Sequence, residues 1–143
     1  MSLDKAIRRP GLDWWPQEEI TEEQEAAIIG GGTADVMVCH DCPAAVPHAF
    51  RPPPSQWSPA DLARNDAHRR RLQRITDAVR PAHVMHGHLH RVYQRGCDFG
   101  YGRVQVTGLS ADGKMANFAA LDVTSMEWAL RRPRALPFIR RQP

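Results

Sequence analysis

Several features are scarce in this sequence of 143 residues, and each scarcity excludes a class of protein. No apolar run approaches the roughly 20 residues that cross a bilayer, so no contact with a membrane is expected. The first residues, MSLDKAIRRPGLDWW, lack the apolar centre of a signal peptide, and a cytoplasmic location is therefore predicted. The only cysteines are Cys39, Cys42 and Cys97, and this odd, sparse set favours reduced thiols over a disulfide framework.

Charge is distributed unevenly along the chain, whose formal net charge is +3. The last stretch, RRPRALPFIRRQP, has five arginines and no acidic residue, so the preceding residues are slightly acidic. We interpret residues 131–143 as a basic, disordered tail, because three prolines and the absence of a base-stacking pattern disfavour a nucleic-acid-binding segment. Residues 1–130 are then expected to form one domain or part of one.

Two helices are predicted from their start and stop signals. In TEEQEAAII, Thr21 is a typical N-cap, Gln24 can complete a capping box, and the glycines at 30–32 end the helix. A second helix begins after Ser58 and ends near Val79. Its apolar residues share one face and its other face is rich in arginine. The histidines outside the motifs below, His48 and His68, are predicted to lie on the surface.

Short apolar runs predict the strands. ADVMVCH and AHVM each read as a brief buried strand that leads into a polar loop. A later β-rich region is predicted to contain four strands, RVYQ, RVQVTG, NFAALDV and MEWAL, and GCDFGYG and ADGK are the predicted turns between the first three. The predicted order is helix, strand, helix, strand and then an antiparallel β run, which indicates an α/β (α+β) fold. The proline-rich loop DCPAAVPHAFRPPPSQW is predicted to be a binding or lid segment.

Four histidines fall within the stretch AHVMHGHLHR. His88 and His90 are two residues apart, a spacing that projects both from one face of a strand end, about 7 Å apart. His40 also follows directly upon a predicted strand, and site residues in α/β folds gather at strand ends. Gly87 is expected to permit a sharp turn before them. Spacing alone leaves a metal site and a surface histidine cluster about equally favoured.

These residues resemble a known family. CHDCP at 39–43, followed by PAHVMHGHLHRVY at 81–93, resembles the last two motifs of the calcineurin-like metallophosphoesterases. SLDKAIRRPGLDWWPQEEIT is similar to the segment after that family's third motif, and VTGLSADGKMANFAALDV is similar to its closing strands. The resemblance covers most of residues 2–128. It implies the C-terminal half of a four-layer αββα sandwich.

The resemblance also implies roles for individual residues. His40 and His88 would bind one metal ion and His90 a second, with Asp41, His86 and Gly87 supporting them. The two ions would be divalent Mn, Fe, Zn, Mg or Ni, and water activated between them would attack a phosphate ester. The substrate would be a phosphomonoester or a phosphodiester, with nucleic acid among the candidates.

The family's first three motifs are not found in the chain. Gly-Asp and Gly-Asn do not occur, and the one Asp-x-His, at Asp66 and His68, falls inside the predicted second helix, where two-residue spacing cannot converge on one ion. The bridging aspartate and the Asn ligand are therefore missing. The resemblance implies an isolated chain that is inactive until a separate chain supplies the N-terminal half. The alternative is a non-catalytic, truncated or partner-binding subunit of the same fold.

Overall fold

The computed structural model describes residues 9–12, 15, 17, 19–47 and 58–131. It shows a mixed α+β fold with two helices, a mixed four-stranded sheet and a separate two-stranded sheet. The helices are α1 (Glu22–Gly30) and α2 (Pro59–Val79). The strands are β1 (Val36–Cys39), β2 (His83–His86), β3 (Tyr93–Phe99), β4 (Gly102–Gly108), β5 (Phe118–Asp122) and β6 (Glu127–Arg131).

Three predicted features fall wholly or partly outside the described residues. They are most of the basic tail, at 132–143, the proline-rich part of the predicted lid, at 48–57, and His48 within it. Within the described part, neither helix combines the length and the apolar character needed to cross a membrane.

The four-stranded sheet has the order β1-β2-β4-β3. β1, β2 and β4 are parallel to one another, and β3 is antiparallel to β4. The predicted antiparallel pairing is confirmed for β3 with β4 and for β5 with β6, but β4 also pairs in parallel with β2. β4 takes the inner place because Val104 and Val106 are both completely buried, which suits a strand flanked on both sides.

The boundaries of β3 differ from the prediction. GCDFGYG was expected to be a turn, yet β3 continues through Phe99 and only Gly100 and Tyr101 form the turn. Cys97 and Phe99 are buried while Asp98 between them is exposed. This alternation has the two-residue period of a strand, and it outweighs the turn preference of the glycines.

Both helices begin as predicted. In α1 the Thr21 hydroxyl accepts from the Gln24 N–H at 3.2 Å while the Gln24 side chain accepts from the Thr21 N–H at 2.9 Å, which is a complete capping box. In α2 the Ser58 hydroxyl accepts from the Asp61 N–H at 3.1 Å. α2 connects β1 to β2, so the carboxyl ends of β1, β2 and β4 meet at one edge of the sheet.

The buried face of α2 is more polar than the sequence suggested. The apolar residues Leu72, Ile75 and Val79 are buried as predicted. His68 is also buried, at 8% exposed, so its predicted surface position is wrong. Arg69 beside it is 4% exposed, so the helix does not simply turn its arginines to solvent. α2 therefore carries polar side chains into the interior, towards the loop that follows β1.

Candidate metal centre

The candidate site lies at the edge where the parallel strands end. His40 follows the last residue of β1, and His88 lies two residues beyond the end of β2. The two connections are joined by a hydrogen bond in which the Gly87 N–H donates to the His40 carbonyl at 3.1 Å. The Leu109 N–H, just beyond β4, donates to the His86 carbonyl at 2.9 Å. The backbone at this edge is thus fixed across three strands.

The structure brings the His40 and His88 side chains together. His40 Nε2 and His88 Nδ1 are 3.0 Å apart, and the ring centroids are 4.8 Å apart with the rings tilted by 57°. Imidazole nitrogens bind zinc-like ions at about 2.0–2.1 Å, so two such ligands on one ion lie roughly 3 Å from each other. The pair therefore has the separation that one divalent ion needs.

His90 does not join this pair. It is exposed, and among the residues that the structure describes no group of three His, Cys, Asp or Glu side chains lies close enough to hold one ion. Of the three predicted metal ligands, two are in contact and the third is separate. A role for His90 at a second ion stays a prediction.

The turn that carries the motif histidines differs from the expected geometry. β2 ends at His86, so His88 and His90 lie beyond the strand and do not share one of its faces. Both have φ of 51°, in the left-handed region, whereas Gly87 is not among the residues with positive φ. The turn therefore does not place Gly87 in the left-handed conformation that favours glycine. Histidine tolerates this conformation better than most residues, and such backbone strain is commonly found at functional sites.

Burial keeps His88 neutral. Removal from solvent lowers the pKa of His88 to about 4, even though the neighbouring Asp41 carboxylate acts in the opposite direction. A neutral imidazole keeps a lone pair free at neutral pH, and metal binding requires that lone pair. His88 Nε2 is buried without a hydrogen-bond partner in the described structure, so one of its two ring nitrogens remains unsatisfied.

Asp41 is a buried carboxylate next to His40. It is 0% exposed, and its Oδ1 accepts from the Cys42 N–H at 2.7 Å. Its Oδ2 has no hydrogen-bond partner within the described residues. A buried carboxylate oxygen without a partner is costly, which makes this edge of the sheet a favourable place for a cation or a hydrogen-bond donor.

His86 lies beneath the turn, with both ring nitrogens in hydrogen bonds. The Gly87 carbonyl is 3.1 Å from Nδ1 and therefore accepts from Nδ1–H, while Nε2 accepts from the Tyr93 hydroxyl. Burial lowers the pKa of His86, so the ring stays neutral. These contacts attach the turn to β3. The predicted supporting role of His86 would act through the backbone of the turn.

Sequence reasoning missed Arg69. Its guanidinium donates to the carbonyls of Cys42, Pro43 and Val46 at 3.2, 3.0 and 2.8 Å, and so holds the loop that begins with His40 and Asp41. A signal was present in the sequence. Arg69 lies three residues before Leu72, at helical spacing with the buried apolar positions.

Burial disfavours the thiolate form of the two cysteines beside the site. Burial raises the pKa of Cys39 to about 12 and that of Cys42 to about 11. Both thiols therefore remain protonated at neutral pH, and a protonated thiol is neither a good nucleophile nor a good metal ligand.

No family model, no curated protein and no solved structure matches this chain. The functional argument therefore depends on the residues and contacts described above.

Proposed function

We propose that the chain contributes ligands to the dinuclear centre of a metal-dependent phosphoesterase. The observation that carries the proposal is the His40 and His88 pair, whose nitrogens lie 3.0 Å apart at the carboxyl ends of adjacent parallel strands. The sequence resemblance names the same two residues as ligands of one ion. Contact geometry and motif order are separate reasons to select this pair.

The donor set suits a borderline divalent ion. Two imidazole nitrogens with a carboxylate nearby fit Zn, Mn, Fe or Ni better than calcium, which prefers oxygen ligands throughout. A bound pair of ions would supply Lewis acidity and an activated water for attack on phosphorus. The chain's own contribution is to hold His40 and His88 in register, through the Gly87–His40 hydrogen bond, and to keep His88 neutral by burial.

The centre needs further ligands. Gly-Asp and Gly-Asn do not occur in the sequence, so the bridging carboxylate and the Asn ligand would come from residues outside this sequence that complete the αββα sandwich. Val38 on the outer strand β1 is 73% exposed, which fits a sheet that another layer covers. His90 would bind the second ion in that assembly. This chain alone is expected to bind one ion weakly and to hydrolyse no phosphate ester.

The test is calorimetric titration of Mn²⁺ and Zn²⁺ into the wild-type chain and into two variants. His88→Ala is expected to lose at least tenfold in affinity, because one of the two facing nitrogens is removed. The matched control is His83→Ala, since His83 lies in the same histidine-rich stretch but at the opposite end of β2. Equal affinity for wild type and His88→Ala would refute the proposed centre.

A further inference from the structure

An open groove lies between β3 and the loop that follows β1, and we call it the β3 groove. Its volume is about 490 Å³, which is within the range of roughly 300–1,000 Å³ that small-molecule sites occupy. Six residues line it: Ala45, Pro47, Arg95, Gly96, Cys97 and Asp98. None of these six belongs to the candidate metal centre, so the groove is a separate feature of the fold.

Both walls of the β3 groove are held by contacts outside it. On the loop side, the Ala45 N–H donates to the Gln73 side chain at 2.9 Å, and the neighbouring Val46 carbonyl accepts from Arg69 at 2.8 Å. On the strand side, the four lining residues of β3 all pair with residues of the inner strand β4. A ligand would therefore meet a largely preformed site and would not have to order its walls.

Arg95 gives the β3 groove a positive charge whose position is fixed. Its guanidinium carbon lies 5.2 Å from the centroid of the Tyr93 ring, a cation–π distance at which the ring orients the planar group. Within the part of the chain that the structure describes, the Arg95 side chain makes no ion pair and no hydrogen bond. The N–H groups of its guanidinium are therefore available to a ligand.

The acidic residue that lines the β3 groove does not cancel this charge. Asp98 Oδ1 accepts from Arg103 Nη1 at 3.5 Å, so its carboxylate already has a cationic partner. The absence of a side chain at Gly96 leaves room for that partner, since a Cβ there would lie 2.7 Å from Arg103 Nη2. Burial raises the pKa of the Cys97 thiol, which therefore stays neutral. The net positive charge of the groove comes from Arg95.

We propose that the β3 groove binds the phosphate group of a small ligand, and that the Arg95 guanidinium holds this group. A guanidinium presents its N–H groups in a planar fork that matches two phosphate oxygens, and the hydrogen bonds are charge-assisted. Phosphate is favoured over a carboxylate because a dianion gains more Coulomb energy than a monoanion from the same cation. The groove is larger than a phosphate ion, so an organic part of the ligand can lie against Ala45 and Pro47. The site does not depend on the metal centre proposed above.

Amide chemical shifts can locate the bound anion. The ¹⁵N-labelled wild-type chain, in metal-free buffer at pH 7.5 and constant ionic strength, is titrated with inorganic phosphate, with AMP and with adenosine. Phosphate and AMP are expected to shift the amide signals of Gly96 and Cys97, whereas adenosine, which has no phosphate group, is expected to leave them unchanged. Tighter binding of AMP would identify a phosphorylated organic ligand, and equal affinity would identify free phosphate. No shift at these two amides, or equal shifts with adenosine and AMP, would overturn the proposal.

Substitutions test the role of Arg95. Arg95→Gln is expected to weaken phosphate binding about tenfold, because charge-assisted hydrogen bonds are lost. Arg95→Lys keeps the charge without the fork, so its affinity should lie between those of wild type and Arg95→Gln. The matched control is Arg91→Gln, since Arg91 is exposed and precedes β3 but does not line the groove, and it should change the affinity by no more than about twofold.

A further variant separates this site from the metal centre. His88→Ala is expected to bind phosphate as tightly as wild type does, because His88 does not line the β3 groove. Loss of phosphate binding in His88→Ala, or equal affinity in Arg95→Gln and Arg91→Gln, would show that the anion is not held by Arg95.

Discussion

Tyr93 lies against residue 108 of the neighbouring strand. A Cβ added to Gly108 would be 2.5 Å from Tyr93 Cε1 and 2.6 Å from the Arg91 carbonyl oxygen. The Tyr93 hydroxyl in turn donates to His86, directly before the turn that carries His88. The absence of a side chain at Gly108 therefore allows the Tyr93 ring to lie close to this strand and to reach His86. Nothing in the sequence around Gly108 indicated this role.

Gly108→Ala is expected to destabilise the fold by about 1–3 kcal/mol, because the methyl group would force the Tyr93 ring and the Arg91 backbone to move. Gly87→Ala is the matched comparison. A Cβ added to Gly87 meets nothing within 4 Å and the φ of Gly87 is not positive. The free energy of unfolding should therefore change by no more than about 0.5 kcal/mol. Urea unfolding of both variants provides the measurement. A larger loss of stability in Gly87→Ala than in Gly108→Ala would contradict this account of the two glycines.

At the scale of elements, α2 and the loop after β1 behave as one unit. Arg69 donates to three buried carbonyls of the loop, the Ala44 N–H donates to the Arg69 carbonyl at 3.2 Å, and the Ala45 N–H donates to the Gln73 side chain at 2.9 Å. Helix caps and apolar spacing were sufficient to predict α2 itself. They could not predict this attachment, because it joins side chains to the backbone of a loop that has no periodic pattern.

Arg69→Met is expected to lower the free energy of unfolding by about 3 kcal/mol, because the buried loop carbonyls lose a charged hydrogen-bond donor. The loop that includes Asp41 should then open, and hydrogen exchange at residues 41–47 should accelerate more than exchange in β4. Arg70→Met is the control, since Arg70 is the next residue along α2 and is exposed. Similar stability and exchange in the two variants would show that Arg69 does not hold the loop.

At the scale of the molecule, the sequence predicted the elements better than their arrangement. Capping residues placed both helices, and short apolar runs placed β1, β2, β5 and β6 within two residues. The insertion of β4 between β2 and β3 could not be predicted, because pairing order depends on contacts between residues far apart in the chain. The His40 and His88 contact was predictable only because parallel strands end at one edge.

Buried histidines from different parts of the fold should make the whole molecule sensitive to acid. Burial lowers the pKa of His68 on α2, of His86 on β2 and of His88 in the turn below the usual 6.5, to about 4 for His88. The unfolded chain therefore binds more protons than the native chain below pH 6.5. The stability that depends on these neutral rings is complete above pH 6.5 and is lost as the pH falls from there towards 4.

In the presence of EDTA, unfolding at pH 5.5 should thus be accompanied by proton uptake, with about one proton from His88 and further uptake from His68 and His86. The thermal midpoint should fall steadily between pH 7 and pH 5. Potentiometric titration during urea unfolding measures the uptake, and His68→Gln should reduce it because burial lowers the pKa of His68. Unfolding without proton uptake at pH 5.5, or a midpoint that does not change across this range, would show that these rings are not held neutral by burial.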